Sequence, residues 1–597
     1  MKKLIYMSLL GGLTLGLFSC EDNFLDLKPQ DAFTDASYFV RPADFKAYTA
    51  DFYGQLMGWR SPYGGNTVYN NMDFSSDLSV YYNFQSDVGH GTIAVGDGDV
   101  RWNNPYGWIR KANILLSKEA AYPGNKVDIA PYISEAYFFR ANAYYSLLKF
   151  FGGVPIVTEP LTVDSPELYG PRNSRYEVVT QILSDLDKAI ANLPVESAIA
   201  TTDKGRISKW AAKALKAEVE LYEATWEKYV GKTTDGDGVN TGAGSAGYDA
   251  TKINTYLTDA VSLCKDIMDN GGYSLWNYNT TAGMINESYY YLFNLEDAGS
   301  NPGGLTKASN NEFILYGVYD VTLRTGNQNL SLTSGNAGNS RKMLDMFLCT
   351  DGLPASKSPL FQGYHAVGDE FKNRDLRILG YVGTTPTAAA NLTNGAGGYS
   401  NRKYIAYKYG TYRNANQESA NYPIIRLAEV YLMYAEALFE KDGAISDADL
   451  NLSINKIRAR ASVAALTNAL VTANGLSMRD EIRRERTLEL YREGFRYDDL
   501  KRWGIAEQEL NQSTCGQVVG DASYVTPYRD ATGAATASYK PATYVWGEEI
   551  IQTAKGPLKC VVLDGKTNKS FSRKNYLWPI PQGQRNINPN LKQNPSY

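Results

Sequence analysis

The chain has 597 residues, with 60 Lys and Arg against 64 Asp and Glu and a formal net charge of -4. That length allows a large core or several domains, and the lack of a basic excess to neutralise phosphates argues against nucleic acid as a partner. Composition adds 45 tyrosines and 9 tryptophans against two histidines, His90 and His365; tyrosine suits wet cores and sugar recognition, and scarce histidine argues against metal or general-base chemistry.

The first twenty residues are MKKLIYMSLLGGLTLGLFSC. Lys2 and Lys3 form a basic head, Leu4 to Leu17 an apolar run, and Leu17-Phe18-Ser19-Cys20 a lipoprotein box, so residues 1–19 read as a secretory signal. The run is too short to span a bilayer. Cys20 would become the first mature residue and carry acyl chains, an anchor that needs no transmembrane helix. Residues 20–40 read as a lipidated tether, acidic and aperiodic from Glu21 to Phe39, that docks on a single body formed by 41–597. The other cysteines, Cys264, Cys349, Cys515 and Cys560, stand 45 or more residues apart without a CxxC pair. Disulfides and isolated buried thiols both fit that spacing, and a metal cluster does not.

Three segments show helical period with two adjacent apolar stripes. In SEAYFFRANAYYSLLKFFGG one stripe is Ala136, Phe139, Ala143, Leu147 and Phe150, and the other Tyr137, Ala141, Tyr144, Leu148 and Phe151. SKWAAKALKAEVELYEATW carries Trp210, Ala214, Ala217, Leu221 and Ala224 beside Leu215, Val219, Tyr222 and Trp226. RLAEVYLMYAEALFE carries Leu427, Tyr431, Tyr434 and Leu438 beside Ala428, Leu432, Ala435 and Phe439. Doubled stripes predict helices packed on two sides, with alanines admitting close neighbours. Each is followed by a second predicted helix: Tyr176 to Leu193, Lys252 to Asn270, and Asp447 to Ala461, the last opening with Ser446 and Asp449 at capping-box spacing. Helix, turn, helix with small residues at the crossing is the tetratricopeptide pattern, here in scattered units. The charges of IRRERTLELYREGFRYDDLKRWG predict one further helix with a salt-bridged surface.

Between these helices lie long segments rich in Gly, Asn, Ser, Thr and Tyr, with strand-like pieces at Phe313 to Tyr319 and Tyr404 to Tyr409. Loops this long inside a compact domain are usually functional. In TDGDGVNTGAGSAG, from Thr234, Asp235 and Asp237 are candidate ligands for a structural calcium, although the remaining EF-hand ligands are missing; no other cofactor is expected.

The chain resembles the SusD-like (RagB-like) glycan-binding outer-membrane lipoproteins of the Bacteroidetes. The matching stretches are the lipoprotein box with CEDNFLDLKPQDAFT, then RWNNPYGWIRKANILL, EAYFFRANAYYSLLKFFGGVPIVTEPL, GRISKWAAKALKAEVELY, IIRLAEVYLMYAEAL, ERTLELYREGFRYDDLKRWG and YLWPIPQGQRNINPNLKQNPSY, in the family's order along nearly the whole chain. The resemblance implies a mainly α fold: a scaffold of tetratricopeptide-like helix pairs, about residues 105–270 and 425–505, carrying a large irregular loop-rich lobe with short strands, about 61–103, 271–423 and 511–574. It implies a surface lipoprotein of the outer membrane, with Glu21 and Asp22 after Cys20 as an export signal. The implied partner is a SusC-like TonB-dependent transporter that receives captured oligosaccharides or polysaccharides.

A sugar offers an apolar C–H face and a hydroxyl rim, so a site needs aromatic platforms beside amide, guanidinium or carboxylate groups. The candidates are Tyr81, Tyr82 and Phe84 beside Asn83, and Trp276, Tyr278, Tyr289, Tyr290 and Tyr291 beside Asn277 and Asn286. Trp102, in a motif shared with the family, is assigned to the fold. No HExxH, GxSxG, Walker A or GxGxxG pattern has a convincing context, and Asp73 with Asp77 is weak evidence for a glycosidase pair, so no enzyme is expected. The alternative function is an interaction scaffold, or the lid of an outer-membrane complex that imports a non-glycan ligand such as peptides.

Overall fold

A computed structural model describes residues 38–64, 72–81, 86–326, 337–364, 368–382, 399, 401–408, 413–414, 416–518 and 547–597. Cys20, Tyr82, Phe84 and His365 lie outside them. The main helices are α1 (Pro42–Ala50), α2 (Val100–Lys118), α3 (Ala130–Phe151), α4 (Arg175–Asn192), α5 (Lys209–Tyr229), α6 (Lys252–Asn270), α7 (Leu427–Asp442), α8 (Met478–Leu490) and α9 (Arg496–Arg502). From α2 to α8 each packs on the next, so the scaffold is a run of helix pairs in sequence order, and the fold is mainly α as expected.

The doubled stripes explain this packing. Every member of both stripes of α5 is buried, as are both stripes of α3 except the half-buried Tyr137. Fully burying a side chain such as Phe139 contributes about 1.5–3 kcal/mol. Capping sets the helix starts: Ser174 and Glu177 form a reciprocal capping box on α4, and Ser208 caps α5, each such cap holding about 1 kcal/mol. Near the start of the described residues, Phe39 is buried edge-on against Phe45 and Tyr48. Trp102 is a fold residue, buried against Phe151.

The lobe has its own core, built on Trp59, Leu78, Trp276, Tyr289, Tyr381 and Tyr422 among others. Its strands pair in short antiparallel sets: β1 (Ser79–Tyr81) with β3 (Ala337–Asn339), β2 (Phe313–Gly317) with β4 (Tyr422–Arg426), and β7 (Gly556–Asp564) between β5 (Thr514–Val518) and β6 (Glu548–Thr553). Cys264, Cys349, Cys515 and Cys560 are buried free thiols. Among the described residues no helix is long and apolar enough to cross a membrane.

Three sequence expectations change. The helix expected from Asp447 to Ala461 is two, Asp447–Leu452 and Ile454–Arg460, broken at Ser453, whose backbone (φ -129°, ψ -99°) leaves the helical region. The long charged helix also breaks in two, because Arg492 (φ 66°) and Gly494 (φ 96°) turn left-handed between α8 and α9. Tyr404 to Lys408 is not a strand: Tyr404 and Lys408 have φ of 71° and 52°, which no extended pairing accommodates.

Candidate functional site

The lobe is fastened to the scaffold in part by buried ion pairs. Glu485 and Glu489 on α8 have no exposed surface. Arg426, at the end of β4, reaches Glu489 at 2.6 Å and Glu312 at 3.0 Å; Arg460 reaches Glu312 at 2.6 Å; Arg377 reaches Glu485 and Glu489 at 3.1 Å each. This corrects the expectation of a salt-bridged surface on α8. The i,i+3 and i,i+4 charges of a solvated helix and of a helix buried among arginines look alike in sequence, and here the lobe covers that face. Buried charge of this kind requires nearly complete pairing.

This frame positions the short helix Ser288–Leu292, and with it the predicted aromatics. Trp276, Tyr289, Tyr290 and Tyr291 are only 2–4 % exposed. The Trp276 indole N–H donates to Ser309 Oγ at 3.1 Å, the Tyr290 hydroxyl donates to the Ile405 carbonyl at 2.8 Å, and the Tyr289 and Tyr381 hydroxyls lie 2.6 Å apart. These four rings are therefore core residues and not open platforms, which corrects the expectation that placed them on a wet loop. An aperiodic sequence hid a second core, and rings of this size are rarely left outside one. Tyr278 differs: it is half-buried, tilted 4.7 Å from Trp276, beside the exposed Asn277. Tyr81 lies in β1 opposite Ala337.

The rim of that core carries the sugar-type chemistry. The Arg402 guanidinium sits 3.7 Å over the Tyr290 ring and 3.1 Å from Glu287. The Tyr291 ring meets Tyr407 at 5.8 Å, and the Lys408 ammonium lies 5.1 Å over Tyr407. Arg402, Glu287 and Tyr407 are partly exposed and Lys408 is exposed. Burial pushes the Tyr290 phenol up to about 12, so at neutral pH it stays protonated and keeps its bond to the Ile405 carbonyl. The result is a continuous edge of aromatic face, guanidinium, ammonium and carboxylate. Arg402, Glu287 and Tyr407 were missed in the sequence. The available signal was the alternation of cations and aromatics in NRKYIAYKY, which was read as a strand.

The other candidates are structural in place. Asp73 accepts from the backbone N–H groups of Gly494 (3.1 Å) and Arg496 (3.0 Å), and Asp77 pairs with Arg496 at 2.8 Å, so both carboxylates fix the break between α8 and α9. Asp235 is buried and accepts from the Tyr176 hydroxyl at 2.8 Å, whereas Asp237 is exposed and accepts from the N–H groups of Val239, Asn240 and Thr241. The two carboxylates serve separate partners. Among the described residues no three His, Cys, Asp or Glu side chains are grouped to hold a metal ion.

Comparison with known proteins agrees with this architecture. Residues 316–597 match the model of the SusD family, and residues 23–221 match a second model described as starch-binding associating with outer membrane. A SusD-like protein of Formosa agariphila is 24% identical over 531 residues, covering 83% of this chain and 88% of its own. One from Bacteroides ovatus is 25% identical over 505 residues, covering 81% and 80%. Among solved structures, a SusD-like carbohydrate-binding protein of Bacteroides fragilis has a TM-score of 0.67 at 22% identity, over 93% of this chain and 99% of its own. A laminarin-binding SusD-like protein has a TM-score of 0.51 at 20% identity, over 93% and 99%. At these identities the structural likeness shows the fold.

Proposed function

The chain belongs to the SusD family, and from that premise we propose that it captures oligosaccharides or polysaccharides at the outer membrane and passes them, chemically unchanged, to a SusC-like TonB-dependent transporter. The observation that carries the reading is the rim of Tyr407, Arg402 and Glu287 beside Tyr290. The C–H face of a sugar ring lies on Tyr407, while the guanidinium donates to its hydroxyls and the carboxylate accepts from them. Solvated contacts of this kind contribute about 0.5–1.5 kcal/mol each. One sugar ring therefore binds weakly, and a polymer that returns to the rim through many equivalent rings is retained. The carbohydrate-binding relative from Bacteroides fragilis and the laminarin-binding one support this class of ligand. In this reading the acylated Cys20 tethers the body to the outer leaflet, facing the exterior.

Retention in native gels containing plant, host and microbial polysaccharides tests the reading. One glycan class should retard the protein, and Tyr407→Ala or Arg402→Ala should cut the apparent affinity about tenfold with an unchanged melting temperature. Trp276→Ala should instead cost about 3–5 kcal/mol of stability, as removal of a buried aromatic does. Passage through every glycan unretarded, with short peptides co-purifying, would replace the glycan reading with the peptide one.

A further inference from the structure

A cavity of about 210 Å³ lies within the lobe, between the end of the helix Ser288–Leu292, the turn Lys307–Ser309, the start of β2 and Asn421, which precedes β4. By the same measure one water needs only about 10–15 Å³, so the space admits a small organic group. None of Glu287, Tyr290, Arg402 or Tyr407 lines it. Its wall divides by chemistry. Leu295, Phe313 and Tyr316 supply an apolar part, with the two rings 6.5 Å apart. Lys307, Asn310 and Asn421 supply a polar part, and all three are only half-buried, so solvent reaches them.

Each of these three polar side chains has donors to spare. The Asn310 amide oxygen accepts from the N–H groups of Glu312 at 2.9 Å and Phe313 at 3.3 Å, and the Asn421 oxygen accepts from the Tyr319 N–H at 3.1 Å. These bonds fix which end of each amide is oxygen. Neither amide nitrogen meets an acceptor among the described residues, and neither is sealed from solvent. The Lys307 ammonium donates to the Tyr319 carbonyl at 2.5 Å and keeps two further N–H groups. Among the described residues no carboxylate lines the cavity. The acidic groups nearest in charge to Lys307 are committed elsewhere: Glu296 and Asp297 pair with Arg413 at 3.0 and 2.8 Å, and Asp320 accepts from the N–H groups of Thr322 and Leu323. Burial accordingly pulls the ammonium below the ordinary lysine range, and those three acids offset this only in part. A half-buried cation without its own counter-ion, flanked by two amide donors, complements an anion with several acceptor lone pairs. The carboxylate or sulfate ester of a sugar is such an anion, on a body whose C–H face suits the Phe313 and Tyr316 rings. An amino acid would add an ammonium that no carboxylate on the wall answers.

We propose that this cavity binds the anionic group of an acidic sugar unit, a uronate or a sulfated hexose, through Lys307, Asn310 and Asn421. The proposal rests on the glycan-capture reading and narrows it to acidic glycans, while using none of the rim residues. The test is calorimetric titration of the full chain in detergent with glucuronate, galacturonate and mannuronate, with the sulfate esters of glucose, galactose and mannose, and with the three neutral hexoses. At least one acidic sugar should bind saturably, tenfold or more tighter than its neutral hexose, and whether it is a uronate or a sulfate ester identifies the source of the charge. Asn421→Asp keeps the oxygen that accepts from Tyr319 and replaces the amide NH2 with a second acceptor, so it should weaken the acidic sugar tenfold or more with an unchanged melting temperature. Lys307→Met should weaken it as much, and Lys307→Arg should restore it. Failure of all six acidic sugars to bind, a neutral hexose bound as tightly as its acidic form, or affinity indifferent to Asn421→Asp and Lys307→Met would each overturn the proposal. Native gels separate this outcome from failure of the glycan reading itself: retention by a neutral polysaccharide that Tyr407→Ala abolishes, with no acidic sugar bound, would leave the rim standing and strike only the acidic site.

Discussion

Glu489 has no exposed surface; burial pushes its carboxyl up, and Arg460, Arg426 and Arg377 more than offset that, bringing it down to about 2. Its value in the folded protein lies below the ordinary 4.5. The stabilisation is therefore present above pH ~4.5 and lost as pH falls towards ~2. Glu489→Gln leaves three guanidinium groups with one fewer anion, and loss of one partner in a buried network costs about 3–5 kcal/mol. Urea unfolding at pH 7 should show that loss, and the gap between variant and wild type should narrow below pH ~4.5, as the carboxyl of the unfolded chain takes up a proton, and close near pH ~2, where the native carboxyl takes up its own. A gap that is constant with pH would mean that the side chain acts by shape and not by charge. Single residues were the hardest scale to read from the sequence. Trp276 and Tyr290 stand in segments without period, where nothing in the sequence distinguishes a wet platform from the core of a lobe. Tyr407 and Arg402 became visible only once Tyr404 and Lys408 were seen to turn left-handed.

At the scale of elements, the scaffold helices were legible because their stripes repeat every three or four residues and their caps are local. The lobe was not, because its strands are only 3–9 residues long and pair across gaps that no local pattern encodes, such as Phe313 with Arg426. The clearest miss is the break between α8 and α9. The sequence carries helical charge spacing straight through it, and Gly494 was the one sign against. Its φ of 96° is a conformation that L side chains enter at a cost of about 1–2 kcal/mol. Gly494→Ala should lower stability by that amount in thermal or urea unfolding. Since the Gly494 N–H donates to Asp73, the variant should also speed hydrogen exchange of the amides around Met72–Ser75 more than those of α4. A neutral result would show that the break is held by Asp73 and Arg496 and does not depend on the glycine.

For the whole molecule, the question is what makes two hydrophobic cores behave as one body. Ile424, on β4, packs against both of them, and two residues on, Arg426 ties together Glu312 beside β2, Glu489 on α8 and Glu493 beyond it, the last at 2.8 Å. Its guanidinium also donates to the Glu489 carbonyl at 2.6 Å. This ion cluster carries part of the join, beside the bonds of Asp73 and Asp77 to Gly494 and Arg496, and it works only when complete. Arg426→Met keeps much of the packing volume and leaves Glu312, Glu489 and Glu493 each with one cation fewer in the buried interior, so it should cost about 3–5 kcal/mol. The loss should be spatially biased. Hydrogen exchange should accelerate across residues 288–317 and 401–408, whose order depends on the cluster, while the middles of α3 and α5, inside the scaffold core, keep their protection. Uniform acceleration through both regions would show instead that scaffold and lobe form one cooperative unit that the ions merely stabilise. The biased outcome would mean that the rim at Tyr407 and Arg402 rests on the least independent part of the fold, held in shape by α8 from beneath.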